Sequence, residues 1–292
     1  MLTEKQRDEL KEMVQKLRKG GDITDATLEE FPVTRKELHI ASSAGETHLI
    51  CMEYGARRAD RPVILNFHSG GFIAPRNRRD ELFCRKMARQ FQALVLDVDY
   101  KLAPKYMYPT AVNECWNVME WVWDNREGLV YHPDKIVLMG HSSGGNLAAG
   151  ICMKAGMQQK FRIRCAVFDY APFDLVKDPA DKPRTSCDMP AEAARDYNRK
   201  YIREDQASEP FASPLYAPDS LLERFPESLI ISAGEDSLCA EDEAFALRLI
   251  QCGVCVTARR FADSIHGFIM NRMCEWEEAI ALITKFLESN LG

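Results

Sequence analysis

Apolar and polar positions along the chain follow two periods. Near the start, Leu10, Met13, Val14 and Leu17 recur at helical spacing. This predicts a short amphipathic helix that closes near Lys19-Gly20-Gly21 and packs against the rest of the chain. Arg35 to Ala41 and Glu46 to Tyr54 read as an antiparallel hairpin. Apolar runs near Pro62, Ala93, Lys135, Arg164, Ser228 and Val254 then predict strands, the last spanning Val254 to Phe261, with helical segments between them. That alternation implies an α/β fold, with a mostly parallel central sheet and helices on both faces. One segment breaks the rhythm. Ala171 to Leu215 is too long for an ordinary connection, and its part from Pro190 to Ile202 has helical character suited to a lid.

Composition narrows the classes. With 292 residues, 46% of them hydrophobic, the chain can form one large α/β domain spanning 1–292. A net charge of −6 argues against a nucleic-acid partner, and the basic run Arg76 to Arg79 passes straight into Asp80 and Glu81. Met1 to Lys19 is rich in charge, so neither a signal peptide nor a membrane span is expected and the chain reads as cytoplasmic. The ten cysteines fall mostly within apolar runs, as small hydrophobes in a reducing compartment do. Cys252-Gly253-Val254-Cys255 reads as a helix end, a glycine cap and a strand start rather than a metal or redox site. His39, His48 and His132 lie in polar surroundings without ligand spacing and read as surface or strand residues.

The chemistry concentrates at strand ends. Gly140-His141-Ser142-Ser143-Gly144 lies between a strand-like run, Lys135 to Met139, and a helix-like run from Asn146. This is the context a G-x-S-x-G nucleophile elbow needs, since small residues let the backbone double back and present a serine hydroxyl above the sheet. Acyl transfer also needs an oxyanion loop, an acid and a histidine. His68-Ser69-Gly70-Gly71-Phe72 follows one apolar run, Gly234-Glu235-Asp236 ends another, and His266 lies in the loop after the last strand. In open α/β sheets such strand ends converge on one crevice. Glu235 and Asp263 compete with Asp236 as the acid, and Ser143 is the rival serine.

These motifs together resemble the hormone-sensitive-lipase-like family of α/β-hydrolase esterases from about Pro62 onward. His68 to Gly71 is similar to its H-G-G-G loop, and Gly140 to Gly145 to its G-D-S-A-G-G elbow. Asp99 to Lys105 is similar to D-Y-R-L-A-P-E, Tyr108 to Ala111 to F-P-A-A, Ser213 to Leu215 to S-P-L, and His266 to Phe268 to H-G-F. Ser69, His141 and Ser237 depart from the family's glycine, aspartate and proline. The resemblance implies an α/β-hydrolase fold with a small helical cap, its elements at about 1–30 and 171–215. It implies Ser142 as nucleophile, His266 as base and Asp236 as acid, with Gly70, Gly71 and Ser143 donating N–H groups to an oxyanion.

The expected activity is hydrolysis of short-chain acyl esters through an acyl-enzyme, with no metal and no organic cofactor. The substrate is then a small-molecule ester, and the oligomeric state, a homodimer included, is left open. Phe72, His141, Phe173, Tyr201 and Phe211 are the expected pocket residues. The same triad also cleaves amides, so a serine peptidase or formamidase is the neighbouring reading. A ligand-binding receptor on a disabled hydrolase would lack one of the three reacting residues, and none is missing here.

Overall fold

The apolar runs become strands of one eight-stranded sheet, and residue alternation along them builds a core on each face. The computed structural model describes residues 2–18 and 23–292. In chain order, α1 (Glu4–Arg18) and α2 (Asp25–Glu29) precede β1 (Thr34–Ser42), β2 (Gly45–Glu53), β3 (Val63–Phe67), α3 (Arg78–Phe91) and β4 (Leu94–Asp99). There follow α4 (Thr110–Asp124), α5 (Arg126–Leu129), β5 (Ile136–His141), α6 (Ser143–Gln158), β6 (Cys165–Asp169), α7 (Ala191–Tyr201) and α8 (Asp219–Leu222). The chain ends through β7 (Glu227–Glu235), α9 (Cys239–Gln251), β8 (Val256–Ile265), α10 (Phe268–Asn271) and α11 (Trp276–Leu291).

Strand order is β1-β2-β4-β3-β5-β6-β7-β8. The β1/β2 and β2/β4 pairs are antiparallel and the others parallel. Because strand side chains alternate between faces, Val63, Leu65 and Phe67 join one core while Ile64 joins the other. The first core takes residues from α4, α6 and α9, the second from α3 and α11. Helices therefore cover both faces, and β3 and β5 are buried along their whole length. The start of α3 is set by a capping box: Asn77 Oδ1 accepts from the Arg79 N–H and Asp80 Oδ2 from the Asn77 N–H.

Two expectations change. β8 runs on to Ile265 rather than ending at Phe261, because it stays paired with β7 through a register shift between Ala233 and Glu235. At that shift a side chain on Gly234 would land on the Ala262 carbonyl, so the close approach requires glycine. Of the two described side chains in the α1 stripe neither is fully buried: Met13 is exposed and Leu10 half-buried. The Val14 and Leu17 side chains and the expected close at Lys19 to Gly21 lie outside what the structure describes. Among the described residues no helix is long and apolar enough to cross a membrane.

Candidate active site

Between the end of β5 and the start of α6 stands Ser142, at φ 53° and ψ −121°. A non-glycine residue rarely holds a positive φ, and here the surroundings enforce it. The Ser142 N–H donates to the Asp169 carbonyl at 2.9 Å. A side chain on Gly140 would land on the Gly144 carbonyl, and one on Gly144 on the Phe67 carbonyl. Strand, turn and helix therefore fit only with glycine on both sides of the serine.

Two further strand ends reach this serine. Ser142 Oγ lies 2.9 Å from His266 Nε2, just beyond β8. His266 Nδ1 lies 2.7 Å from Asp236 Oδ2, just beyond β7, and Asp236 Oδ1 accepts from the Leu238 N–H at 3.1 Å. The Asp236 side chain is 2% exposed and that of His266 36%, so the carboxylate is enclosed while the imidazole borders solvent. The Tyr170 ring meets the imidazole edge-on at 5.1 Å. A hydroxyl, an imidazole and a carboxylate in this order can move a proton away from the hydroxyl as it attacks.

The loop after β3 approaches from the other side. Gly70, Gly71 and Phe72 have φ of 132°, 59° and 63°. The Ile73 and Ala74 N–H groups fold back onto the Gly70 carbonyl at 3.1 and 2.9 Å. His68 braces this loop, its Nδ1 donating to the Ser69 carbonyl at 2.6 Å and its ring stacked 4.1 Å from Tyr100. The Tyr100 hydroxyl donates to the His68 carbonyl at 2.8 Å and lies 3.3 Å from Ser143 Oγ, tying the loop to the elbow. Over the loop lies α7. A side chain on Gly71 would land on the ring of Tyr197. Tyr201 stacks on Phe72 with ring centroids 3.6 Å apart.

The residues expected to line a pocket are placed differently. Phe173 is fully buried, stacked 4.2 Å from Phe245. Phe72 and Tyr201 are buried against each other, at 4% and 1% exposure. Phe211 is half-buried on the first core with Lys154 above its ring. His141 is also fully buried, on the sheet face covered by α3. Its Nδ1 faces Asp169 Oδ2 at 2.7 Å and its Nε2 faces Asn66 Oδ1 at 3.2 Å. Asn66 donates to Asp97, which also accepts from Arg76. These residues share one face because strand register sets Asn66 beside Asp97 and His141 beside Asp169. His141 thus knits strand ends beneath the elbow rather than facing a ligand. Tyr197, over Gly71, is the aromatic that the sequence reading missed, since nothing marks it apart from other helix positions.

Acidic groups surround the Asp236 loop. Glu235 does not point to solvent: its side chain is 4% exposed and accepts from Arg7 of α1 at 2.8 and 2.6 Å. The Thr185 hydroxyl donates to the Glu235 carbonyl at 3.2 Å. Asp188 accepts from the Ser237 N–H at 2.8 Å and the Thr185 N–H at 2.7 Å. Burial pushes the Asp188 carboxyl up, and the neighbouring Asp236 charge adds to it. Asp242 of α9 rises well above the usual aspartate range through burial, then through Asp236 and Glu241, although the Ala171 N–H at 2.9 Å opposes this.

The chain from 64 to 270 matches the model of a family described as having the alpha/beta hydrolase fold. An arylesterase of Saccharolobus solfataricus is 31% identical over 216 residues, 73% of this chain and 70% of that one. A carboxylesterase of Mycobacterium tuberculosis is 27% identical over 218 residues, 73% of this chain and 68% of that one. Among solved structures, a hyperthermophilic esterase from Pyrobaculum calidifontis superposes with a TM-score of 0.83 at 27% identity, over 96% of this chain and 97% of that one. A thermostable carboxylesterase from a metagenomic library gives 0.81 at 27% identity, over 98% of each. With fold, strand-end convergence and these relatives in agreement, the chain belongs to the α/β-hydrolase fold family, in its hormone-sensitive-lipase-like esterase group, and is a carboxylic ester hydrolase.

Proposed function

We propose that Ser142 is the nucleophile of this ester hydrolase, with His266 as its general base and Asp236 as the carboxylate that orients the imidazole. The observation that carries the reading is the hydrogen-bonded chain Ser142 Oγ, His266 Nε2, His266 Nδ1, Asp236 Oδ2, with steps of 2.9 and 2.7 Å. His266 takes the hydroxyl proton as Ser142 attacks the ester carbonyl, and Asp236 stabilises the imidazolium. The N–H groups of Gly70, Gly71 and Ser143 receive the charge on the carbonyl oxygen. The protonated histidine then returns its proton to the departing alcohol, and water releases the acid from the serine by the same steps in reverse order.

The favoured substrates are esters of short acids, acetyl to butyryl. Tyr197 over Gly71 supports this, because its ring packs against the loop proposed to hold the carbonyl oxygen, where a long acyl chain would compete for space. The ten cysteines, six of them buried, support a reducing compartment such as the cytoplasm. The test is turnover by Ser142→Ala and the unaltered enzyme on soluble esters of graded acyl length, an emulsified triglyceride and a chromogenic amide. Ser142→Ala is expected to lose ester hydrolysis and phosphonate labelling together, with circular dichroism unchanged. Labelling at Ser143, or retained turnover, overturns the assignment. Faster cleavage of the triglyceride than of an acetate ester overturns the short-acyl reading.

A further inference from the structure

At the edge of the sheet opposite β8, the β1/β2 hairpin brings together two histidines that are nine residues apart in sequence. Strand register sets His39 directly opposite His48, and their rings lie 4.7 Å apart. Two positions before His39, and so on the same face of β1, stands Glu37. One ligand atom from each of Glu37, His39 and His48 lies within 4.8 Å of the others. Ligands around a tetrahedral zinc stand about 3.3 Å apart, given metal–nitrogen bonds of about 2.0–2.1 Å. The difference is within the reach of side-chain rotation, and Glu37 and His39 are half-exposed.

The outer contacts suit a metal better than they suit a simple ion pair. His39 Nδ1 lies 3.0 Å from Glu46 Oε1, and His48 Nδ1 lies 3.5 Å from Asp99 Oδ2. A metal-ligating histidine commonly gives its second ring N–H to a carboxylate, which fixes the tautomer and turns the other nitrogen's lone pair to the ion. Here that leaves both Nε2 atoms for the ion. His48 Nε2 is closed off from solvent and makes no hydrogen bond, yet lies 3.3 Å from Glu37 Oε2. The other Glu37 oxygen accepts from Arg35 at 2.8 Å, which holds the carboxylate in place. Glu37, Glu46 and Asp99 set three negative charges against that of Arg35, a balance suited to a dication.

We propose that Glu37, His39 and His48 form a binding site for one divalent transition-metal ion, with water completing its coordination. Two imidazoles and one carboxylate select zinc, cobalt, nickel or copper over magnesium and calcium, which take oxygen ligands. The ion would clasp the two strands at one edge of the sheet, since β1 is an edge strand whose only strand partner is β2.

The experiment is a cobalt(II) titration of chelator-treated protein followed by visible absorption, with zinc as competitor. One cobalt per chain, displaced by zinc and showing no thiolate charge-transfer band, is expected. The absence of that band separates this site from the exposed Cys255 and Cys274. Glu37→Gln and the His39→Gln/His48→Gln double variant are each expected to weaken binding at least about tenfold, since even outer contacts of a metal site are worth 10–100-fold. His132→Gln is expected to bind as the unaltered protein does. Thermal melts of the metal-free variants check that the hairpin still folds. No stoichiometric binding, binding that survives the double variant, or a thiolate band overturns the proposal.

Discussion

Ser142 and Asp236 show how single positions are fixed by their surroundings. The positive φ of Ser142 costs about 1–3 kcal/mol wherever a non-glycine residue adopts it, and the surrounding sheet and helix must over-determine it. Gly140 and Gly144 do so by letting backbone approach where any side chain would collide. Asp236 is fixed from both sides, by the Leu238 N–H on Oδ1 and by His266 on Oδ2. In Asp236→Asn the amide would favour the wrong imidazole tautomer, so turnover on an acetate ester is expected to fall by up to about four orders of magnitude with the fold intact. Steady-state kinetics with circular dichroism check this, and near-normal turnover would move the role to another carboxylate. The elbow around Ser142 and the strand ends before Asp236 and His266 leave local marks in the sequence, whereas the choice of Asp236 over Glu235 and Asp263 rested on the family resemblance. Tyr197 and the buried place of His141 were not, because each depends on what another element brings alongside.

Between elements, the ion pair of Arg7 and Glu235 joins α1 to the end of β7. The residue beside Asp236 is thereby held by a helix more than two hundred positions away, and Cys187 Sγ also reaches the Arg7 carbonyl. Arg7→Ala strands a buried carboxylate, which is more harmful than removing both partners. A lower melting temperature and reduced turnover are therefore expected for Arg7→Ala, with part of the melting temperature recovered in Arg7→Ala/Glu235→Leu. Calorimetric melts of the two single variants and the double variant check the coupling, and additive effects would exclude it. The sheet strands were legible because buried parallel strands are near-continuous apolar runs. The contact of α1 was not, since its apolar stripe pointed to a packed face while the anchor is a charged residue on a helix crowded with charges. The hairpin was legible too, but the meeting of His39 with His48 depends on a register that sequence spacing does not reveal.

At the scale of the whole molecule, buried carboxyls make stability depend on pH in a direction opposite to the usual acid behaviour. Asp242 and Glu241 sit at the start of α9, where they hold the chain leaving β6: Asp242 accepts from the Ala171 N–H, and Glu241 from Asp174 and Lys182. Burial keeps Asp242 protonated well above the usual aspartate range and pushes Glu241 up to about 7 against the pull of Lys182. The unfolded chain would ionise both near their ordinary values. Between those values and the raised ones, the folded state binds more protons, so stability falls as pH rises, by up to about 1.4 kcal/mol per pH unit for each group. Asp242→Asn keeps an oxygen for the Ala171 N–H and cannot ionise, so its share of the slope disappears. Urea midpoints of the two proteins measured from pH 5 to pH 8 are expected to diverge, the unaltered enzyme losing stability more steeply than the variant. Parallel slopes would mean that Asp242 is already ionised in the folded protein at pH 5, and a steeper slope in the variant would reverse the assigned direction.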